Sequence, residues 1–238
     1  MLDRILDFVW PRVCEICRRP VDRPEGQICS DCLNRLAFVP TQGCCRKCGR
    51  AAVGAKADFL CEECRTYKPQ FDRAASALRM EGVSRDLLNA FKFRNRYWLR
   101  DDFVRFLEAT VSAHYRVSEI DVVLSVPSTF LHLWDRGYTP CRVLAKALAK
   151  KLGKPCPPFV LKRRNSPKRQ GRLREEERRT NVIGTFAVRR PALVRDRTVL
   201  LVDDVMTTGS TLSECAAELK RSGASRVWCV SLLRSLHT

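Results

Sequence analysis

The stretch Val199-Leu-Leu-Val-Asp-Asp-Val-Met-Thr-Thr-Gly-Ser-Thr211 constrains the fold more than any other part of this chain. Four branched apolar residues in a row match a strand buried on both faces of a parallel sheet. Asp203 and Asp204 are then expected at the strand's carboxyl end, followed by a short loop of Thr207, Thr208, Gly209, Ser210 and Thr211. Leu212, Cys215, Ala216 and Leu219 fall at i, i+3, i+4 and i+7, the apolar face of an amphipathic helix. Strand, hydroxyl loop and helix in that order bring unpaired backbone N–H groups and the positive helix end to one point. A phosphate is held there without a cationic side chain. The paired carboxylates beside it are acceptors suited to a vicinal diol or to hydrated Mg²⁺. Asp, Ser and Thr also serve simply as helix caps, so the combination carries the argument rather than either half.

Elsewhere strands and helices alternate. An edge strand is expected over residues 72–80, then a short helix with Leu87, Leu88 and Phe91 and a longer one from about Leu99 to His114. A strand at 121–125, a helix near 139–152, short strands at 159–161 and 181–188 and a closing strand at 226–233 complete the series. This order implies a mostly parallel sheet with right-handed crossovers. Residues 1–10 suit a short amphipathic helix. No apolar run approaches a membrane span, and the N-terminal segment, interrupted by Asp3 and Asp7, is no secretory signal. No membrane insertion and a cytoplasmic location are the expectation. His114, His132 and His237 form no ligand spacing.

Nine of the thirteen cysteines lie before residue 65: Cys44, and the eight of Cys14-x₂-Cys17, Cys29-x₂-Cys32, Cys45-x₂-Cys48 and Cys61-x₂-Cys64. Spacers of 11 and 12 residues separate the first pair from the second and the third from the fourth. Each two-residue knuckle lets two thiolates reach one metal, and Zn²⁺ takes four such ligands tetrahedrally. Two closed, structural Cys₄ sites follow. Sequential pairing of the knuckles is the simplest connectivity, an interleaved one stays open, and Cys44 is an alternative ligand to Cys45. Metal binding folds so polar a segment, so chelation is expected to loosen residues 12–66 before the rest.

The formal net charge is +18, a balance that favours polyanions or phosphate-rich ligands. Residues 162–179 hold nine basic side chains against three acidic ones and read as a mobile basic loop. The first 70 residues hold 12 basic and 9 acidic side chains, an excess that two tetrathiolate zinc centres would cancel. Lys92, Arg94 and Arg96 interleave with Phe93, Tyr97 and Trp98, a pattern that serves either helix packing or stacking on a nucleic-acid strand.

Residues 199–211 resemble the phosphoribosyl-pyrophosphate (PRPP) motif of type I phosphoribosyltransferases. The resemblance extends further, through the cysteine-rich double ribbon, Leu88-x-x-Phe91-Lys92-Phe93-Arg94, the Val126-Pro127 loop, Arg136-Gly137-Tyr138 and the stretch from Gln170 through Arg178, Arg179, Asn181 and Val182 to Phe186. In that order these motifs are similar to those of the ComF family, whose members resemble amidophosphoribosyltransferases and are linked to DNA uptake and natural transformation. The implied architecture is α/β, a type I phosphoribosyltransferase-like, mostly parallel sheet flanked by helices. A zinc-ribbon module over 1–68 precedes this PRPP-binding domain over 69–238. The resemblance implies that Asp203 and Asp204 bind the ribose hydroxyls and Mg²⁺ and that Thr207–Thr211 hold the 5′-phosphate. It also implies that Ser128 and Thr129 cradle pyrophosphate, with Arg164 or Arg169 from the basic loop acting as a lid. Two functions are implied: Mg²⁺-dependent phosphoribosyl transfer with pyrophosphate release, or a PRPP-regulated accessory of DNA uptake that binds single-stranded DNA and partner proteins of that machinery. One departure stands out. The family's Arg-Gly-Phe-Asn-Gln is Arg136-Gly137-Tyr138-Thr139-Pro140 here, which removes two amide side chains and a backbone donor.

Overall fold

The computed structural model describes residues 12–52, 54–55, 59–127, 138–164 and 184–235. A four-stranded parallel sheet forms the centre, with strands β1 (Arg73–Arg79), β2 (Val122–Ser125), β5 (Thr198–Met206) and β6 (Arg226–Arg234) in the order β1-β6-β5-β2. Strands β3 (Leu161–Arg163) and β4 (Phe186–Val188) make a separate antiparallel pair. Alternation along β5 sorts its side chains onto two faces. Leu200 and Val202 join the apolar core of α3 (Gly82–Phe93), α4 (Arg100–His114) and α5 (Pro140–Leu152). Val199 and Leu201 join the opposite core under α6 (Ser210–Arg221), where Leu212, Cys215, Ala216 and Leu219 are all fully covered. Buried on both faces, the parallel strands account for the continuous apolar runs of the sequence.

Some boundaries differ from expectation. β5 does not end at the acidic pair, because Asp203, Val205 and Met206 keep their partners Ser231, Leu233 and Arg234 on β6. The short strand expected at 159–161 begins two residues later, after Phe159 takes a left-handed φ of 58°. Within the described residues the strand expected at 181–188 is Phe186–Val188. The helix proposed for residues 1–10 lies outside the described residues.

The two cysteine ribbons are built alike. In each, the first cysteine exchanges hydrogen bonds across its knuckle: Cys14 N–H donates to the Arg19 carbonyl (2.7 Å) and Cys45 N–H to that of Arg50 (2.8 Å). The third cysteine precedes a short helix, α1 (Ser30–Asn34) or α2 (Glu62–Tyr67). Their settings differ. Cys14, Cys29 and Cys32 of the first ribbon share a core with Phe91, Phe103 and Leu107 of α3 and α4. Cys45, Cys48 and Cys64 of the second share the other core with Phe71, Met206 and Leu212.

Backbone contacts tie both ribbons to the sheet. Residues 37–39 run antiparallel along the outer edge of β1, through Val39 N–H to the Ala77 carbonyl (3.0 Å) and Arg79 N–H to that of Ala37 (2.8 Å). The exposed edge that β1 would otherwise present is thereby covered. At Gly49 the second ribbon lies so close that a Cβ would fall 2.7 Å from the Ala74 carbonyl oxygen. Buried Asp102 on α4 accepts the Gln27 N–H (2.6 Å), with Arg23 3.7 Å away. Apolar packing therefore crosses residues 68–69. Among the described residues no helix is long and apolar enough to cross a membrane.

Candidate ligand site and metal centres

Asp203 and Asp204 lie near the carboxyl end of β5, where open parallel sheets collect ligands. Asp203 is buried and Asp204 half-buried. The Asp203 Oδ1 accepts the Asp204 N–H (2.9 Å) and the Cys141 thiol (3.3 Å). Burial, reinforced by the neighbouring Asp204 charge, pushes the Asp203 carboxyl up to about 7. Burial likewise holds the Cys141 thiol well above its ordinary value, so it stays a donor. Asp204 takes a different partner, a salt bridge of 2.6 Å to the Lys92 ammonium at the end of α3. The two carboxylates thus present unequal charge: one partly protonated at neutral pH, the other ion-paired.

Downstream, Gly209 takes a left-handed φ of 79° as the residue before α6. A Cβ there would lie 2.6 Å from Met206 Cε, so both conformation and space call for glycine. Thr207, Thr208, Ser210 and Thr211 are half-buried. The Thr208 hydroxyl donates to Ser210 Oγ (3.0 Å) and accepts the Ser210 N–H (3.3 Å). The loop thus sets hydroxyls and the first N–H groups of a 12-residue helix together, the chemistry an anion needs.

Ser128, Thr129 and Arg169 lie outside the described residues, as do Arg136 and Gly137. Arg164 is exposed just past β3, and its backbone N–H donates to the Thr185 carbonyl (2.6 Å). The departing segment turns out to matter. Pro140 sits in the first turn of α5, a position whose N–H would lack an intrahelical partner in any case, so its missing donor costs nothing. Tyr138 donates its hydroxyl to the Phe91 carbonyl and packs edge-on against Tyr97. The next residue after Pro140 is Cys141, the donor to Asp203.

The eight knuckle cysteines gather into two sets, Cys14/Cys17/Cys29/Cys32 and Cys45/Cys48/Cys61/Cys64, each with its sulfurs within 4.8 Å of one another. Pairing is therefore sequential. Cys44 stands apart, its thiol donating to the Pro40 carbonyl (3.1 Å). Zn–S bonds of 2.3 Å place the corners of a tetrahedron about 3.8 Å apart. The Cys17–Cys29 and Cys48–Cys61 sulfurs are 3.6 and 3.7 Å apart. Cys29 N–H points at the Cys14 sulfur and Cys61 N–H at that of Cys45, both at 3.4 Å, donors that orient a sulfur ligand and steady its negative charge. Both sets fit zinc. The Cys141–Asp203–Asp204 group is smaller. Its carboxylates suit Mg²⁺ and its thiol does not.

Lys92 and Cys141 are the partners that sequence reading missed. Lys92 lay in a segment read as a possible nucleic-acid surface, and Cys141 follows the Arg-Gly-Tyr-Thr-Pro departure; neither carries a local signal of proximity to residues 203–204.

Comparison with known proteins agrees with this geometry. Residues 5–65 match the double zinc ribbon domain and residues 139–238 the phosphoribosyl transferase domain. Competence protein F of Haemophilus influenzae is 26% identical over 232 residues, covering 93% of this chain and 96% of its own. DNA utilization protein YhgH of Salmonella typhimurium is 29% identical over 225 residues, covering 92% and 96%. The Escherichia coli K12 protein of the same name is 28% identical over the same span. The chain is thus a double zinc ribbon joined to a phosphoribosyltransferase domain, related over nearly its whole length to the proteins named Competence protein F and DNA utilization protein YhgH.

Proposed function

We propose that residues 203–211 bind PRPP and that the chain transfers its phosphoribosyl group to an acceptor with release of pyrophosphate. The observation that carries this is the juxtaposition of an acidic pair with a hydroxyl-rich helix N-terminus on consecutive turns of backbone. Residues 207–211 take the 5′-phosphate through main-chain N–H groups and hydroxyls. Asp203 and Asp204 accept from the ribose hydroxyls and offer oxygen ligands to Mg²⁺. The metal, when bound with PRPP, neutralises charge on the leaving pyrophosphate. Lys92 balances Asp204 in the free protein and keeps a cation beside the reacting sugar. Asp203, titrating near neutrality, is the group placed to take a proton from the acceptor. Ser128, Thr129 and the arginines Arg164 and Arg169 are assigned to pyrophosphate on the sequence resemblance alone.

Calorimetric titration of PRPP with Mg²⁺ into the zinc-loaded protein tests this. Binding is expected for the native chain and loss of at least about a hundredfold in affinity for Asp204→Asn, which removes a charged acceptor, with an unchanged melting curve. An Asp204→Asn variant that binds as well as the native chain would remove the carboxylate from the site.

A second reading rests on a different observation. Phe93, Tyr97 and Trp98 are exposed just beyond Lys92, with Arg96 5.0 Å over Trp98 and Arg100 5.1 Å over Tyr97. Flat rings backed by guanidinium groups suit stacked bases and phosphates. In that reading the protein is a PRPP-regulated, cytoplasmic accessory of DNA uptake that binds single-stranded DNA and proteins of that machinery. An interface neutralising about six phosphates gives a log–log salt slope near −4. Oligonucleotide binding indifferent to salt would dismiss it.

A further inference from the structure

The ribbons repeat each other, yet among the described residues it is the second that adjoins the loop proposed to hold phosphate. The connection is Arg234, at the end of β6 and 1% exposed. Its Nη1 donates to the Cys48 carbonyl (2.7 Å) and lies 2.9 Å from Met206 Sδ, while Nη2 is 3.5 Å from Cys48 Sγ. Its Nε has no hydrogen-bond partner among the described residues. A guanidinium buried with so few acceptors is costly unless negative charge lies close. Four thiolates around Zn²⁺ leave a net charge of about −2, whereas four protonated thiols leave none.

Met206 carries the link onward. Its Cε is the atom that a Cβ on Gly209 would strike, and Phe71 closes the same space. A second tie joins the residues leaving the ribbon to the first turn of α6, where Gln70 N–H donates to Ser213 Oγ (3.0 Å). Between these contacts lies a cavity of about 230 Å³ lined by Cys48, Cys64, Arg234, Thr208, Gly209 and Ser210. The loop has room to shift once the ties are released.

We propose that the metal of the second Cys₄ site sets the affinity of the phosphate loop, with Arg234 as the positioning residue between them. The charged centre holds Arg234, Arg234 holds Met206, and Met206 backs Gly209 in the conformation that starts α6. The first Cys₄ site, packed on α3 and α4, has no such link among the described residues. The inference rests on the reading of residues 207–211 as the phosphate loop. Since coupling between sites is reciprocal, ligand in the loop must also be felt at the metal.

The experiment uses the full chain with both sites loaded, as zinc for affinity and as Co²⁺ for its visible absorption. Arg234→Met should keep two metal ions and its melting temperature but bind Mg²⁺·PRPP about tenfold more weakly, within the usual range of such couplings. Arg234→Lys, which restores a donor for the Cys48 carbonyl, should recover part of that loss. PRPP should also perturb the Co²⁺–thiolate spectrum of the native chain, and leave that of Arg234→Met unchanged. The native spectrum decides the matter even where Arg234→Met fails to fold. PRPP binding with equal affinity in Arg234→Met, or with no spectral response in the native chain, overturns the coupling alone. A native chain that binds no PRPP overturns the phosphate-loop reading, and the coupling with it.

Discussion

Stripping both metal ions from the zinc-loaded chain at neutral pH should unfold the whole molecule in one transition, rather than residues 12–66 ahead of the α/β domain. Metal binding to tetrahedral cysteine sites contributes about 10–16 kcal/mol in small peptides, against a net stability of about 5–15 kcal/mol for a typical domain. Loss of one site is therefore comparable with everything that holds the fold. The packing decides where the loss is felt. Cys14, Cys29 and Cys32 lie in the same apolar core as Phe91, Phe103 and Leu200, and Cys45, Cys48 and Cys64 in that of Phe71, Leu201 and Leu212. The ribbon segment at 37–39 also covers the edge of β1, and Asp102 on α4 is buried against Gln27. Each face of the sheet therefore loses part of its apolar packing when its ribbon melts. Chelator titration with colorimetric zinc release and amide exchange checks this: two ions per chain should leave as protection of β5 and β6 collapses. Protection of those strands in the metal-free chain would show that the α/β domain stands alone, and release of a single ion would contradict the two-site assignment.

What the sequence made legible was whatever its spacing encodes locally. Two-residue knuckles with spacers of 11 and 12 residues lead to sequential pairing because a short spacer brings the second knuckle back to the first. The apolar run at 199–202 and the helical spacing of Leu212, Cys215, Ala216 and Leu219 placed β5 and α6 for the same reason. The partners of the acidic pair were not legible. Lys92 is 112 residues from Asp204 and Cys141 is 62 from Asp203. Both meet β5 only because α3 and α5 pack on the same face of the sheet. Arg234 falls one residue past the strand expected at 226–233, and its burial against Cys48 depends on the second ribbon sitting beside α6. The strand's continuation to Met206 escaped notice too, since carboxylates and a methionine interrupt the apolar run while the ladder to β6 goes on.

The same buried carboxylate that marks the site should weaken the fold above neutral pH, and Asp203→Asn should relieve that weakness. An aspartate in an unfolded chain titrates near 3.9, whereas burial and the Asp204 charge hold Asp203 up to about 7 in the folded protein. Between those values the native state binds a proton that the unfolded state has released, so stability falls as pH rises. The contribution is intact below about pH 4 and fully lost above about pH 7. Three pH units correspond to about 4 kcal/mol. The coupling of Asp203 to Asp204 reduces this to an order of 2–4 kcal/mol. Asparagine keeps an oxygen for the Cys141 thiol and the Asp204 N–H, the two groups that donate to Asp203, and has no charge to desolvate. Urea unfolding at pH 6 and pH 8 provides the comparison. The native protein should lose about 1 kcal/mol across that interval, the variant should not, and at pH 8 the variant should be the more stable of the two. Parallel pH profiles would mean that Asp203 is already ionised in the folded protein, so that Lys92 screens the pair and not Asp204 alone. With those profiles, the chain retains a destabilising carboxylate at a position proposed to accept from a sugar hydroxyl, the pattern expected when stability is given up for binding.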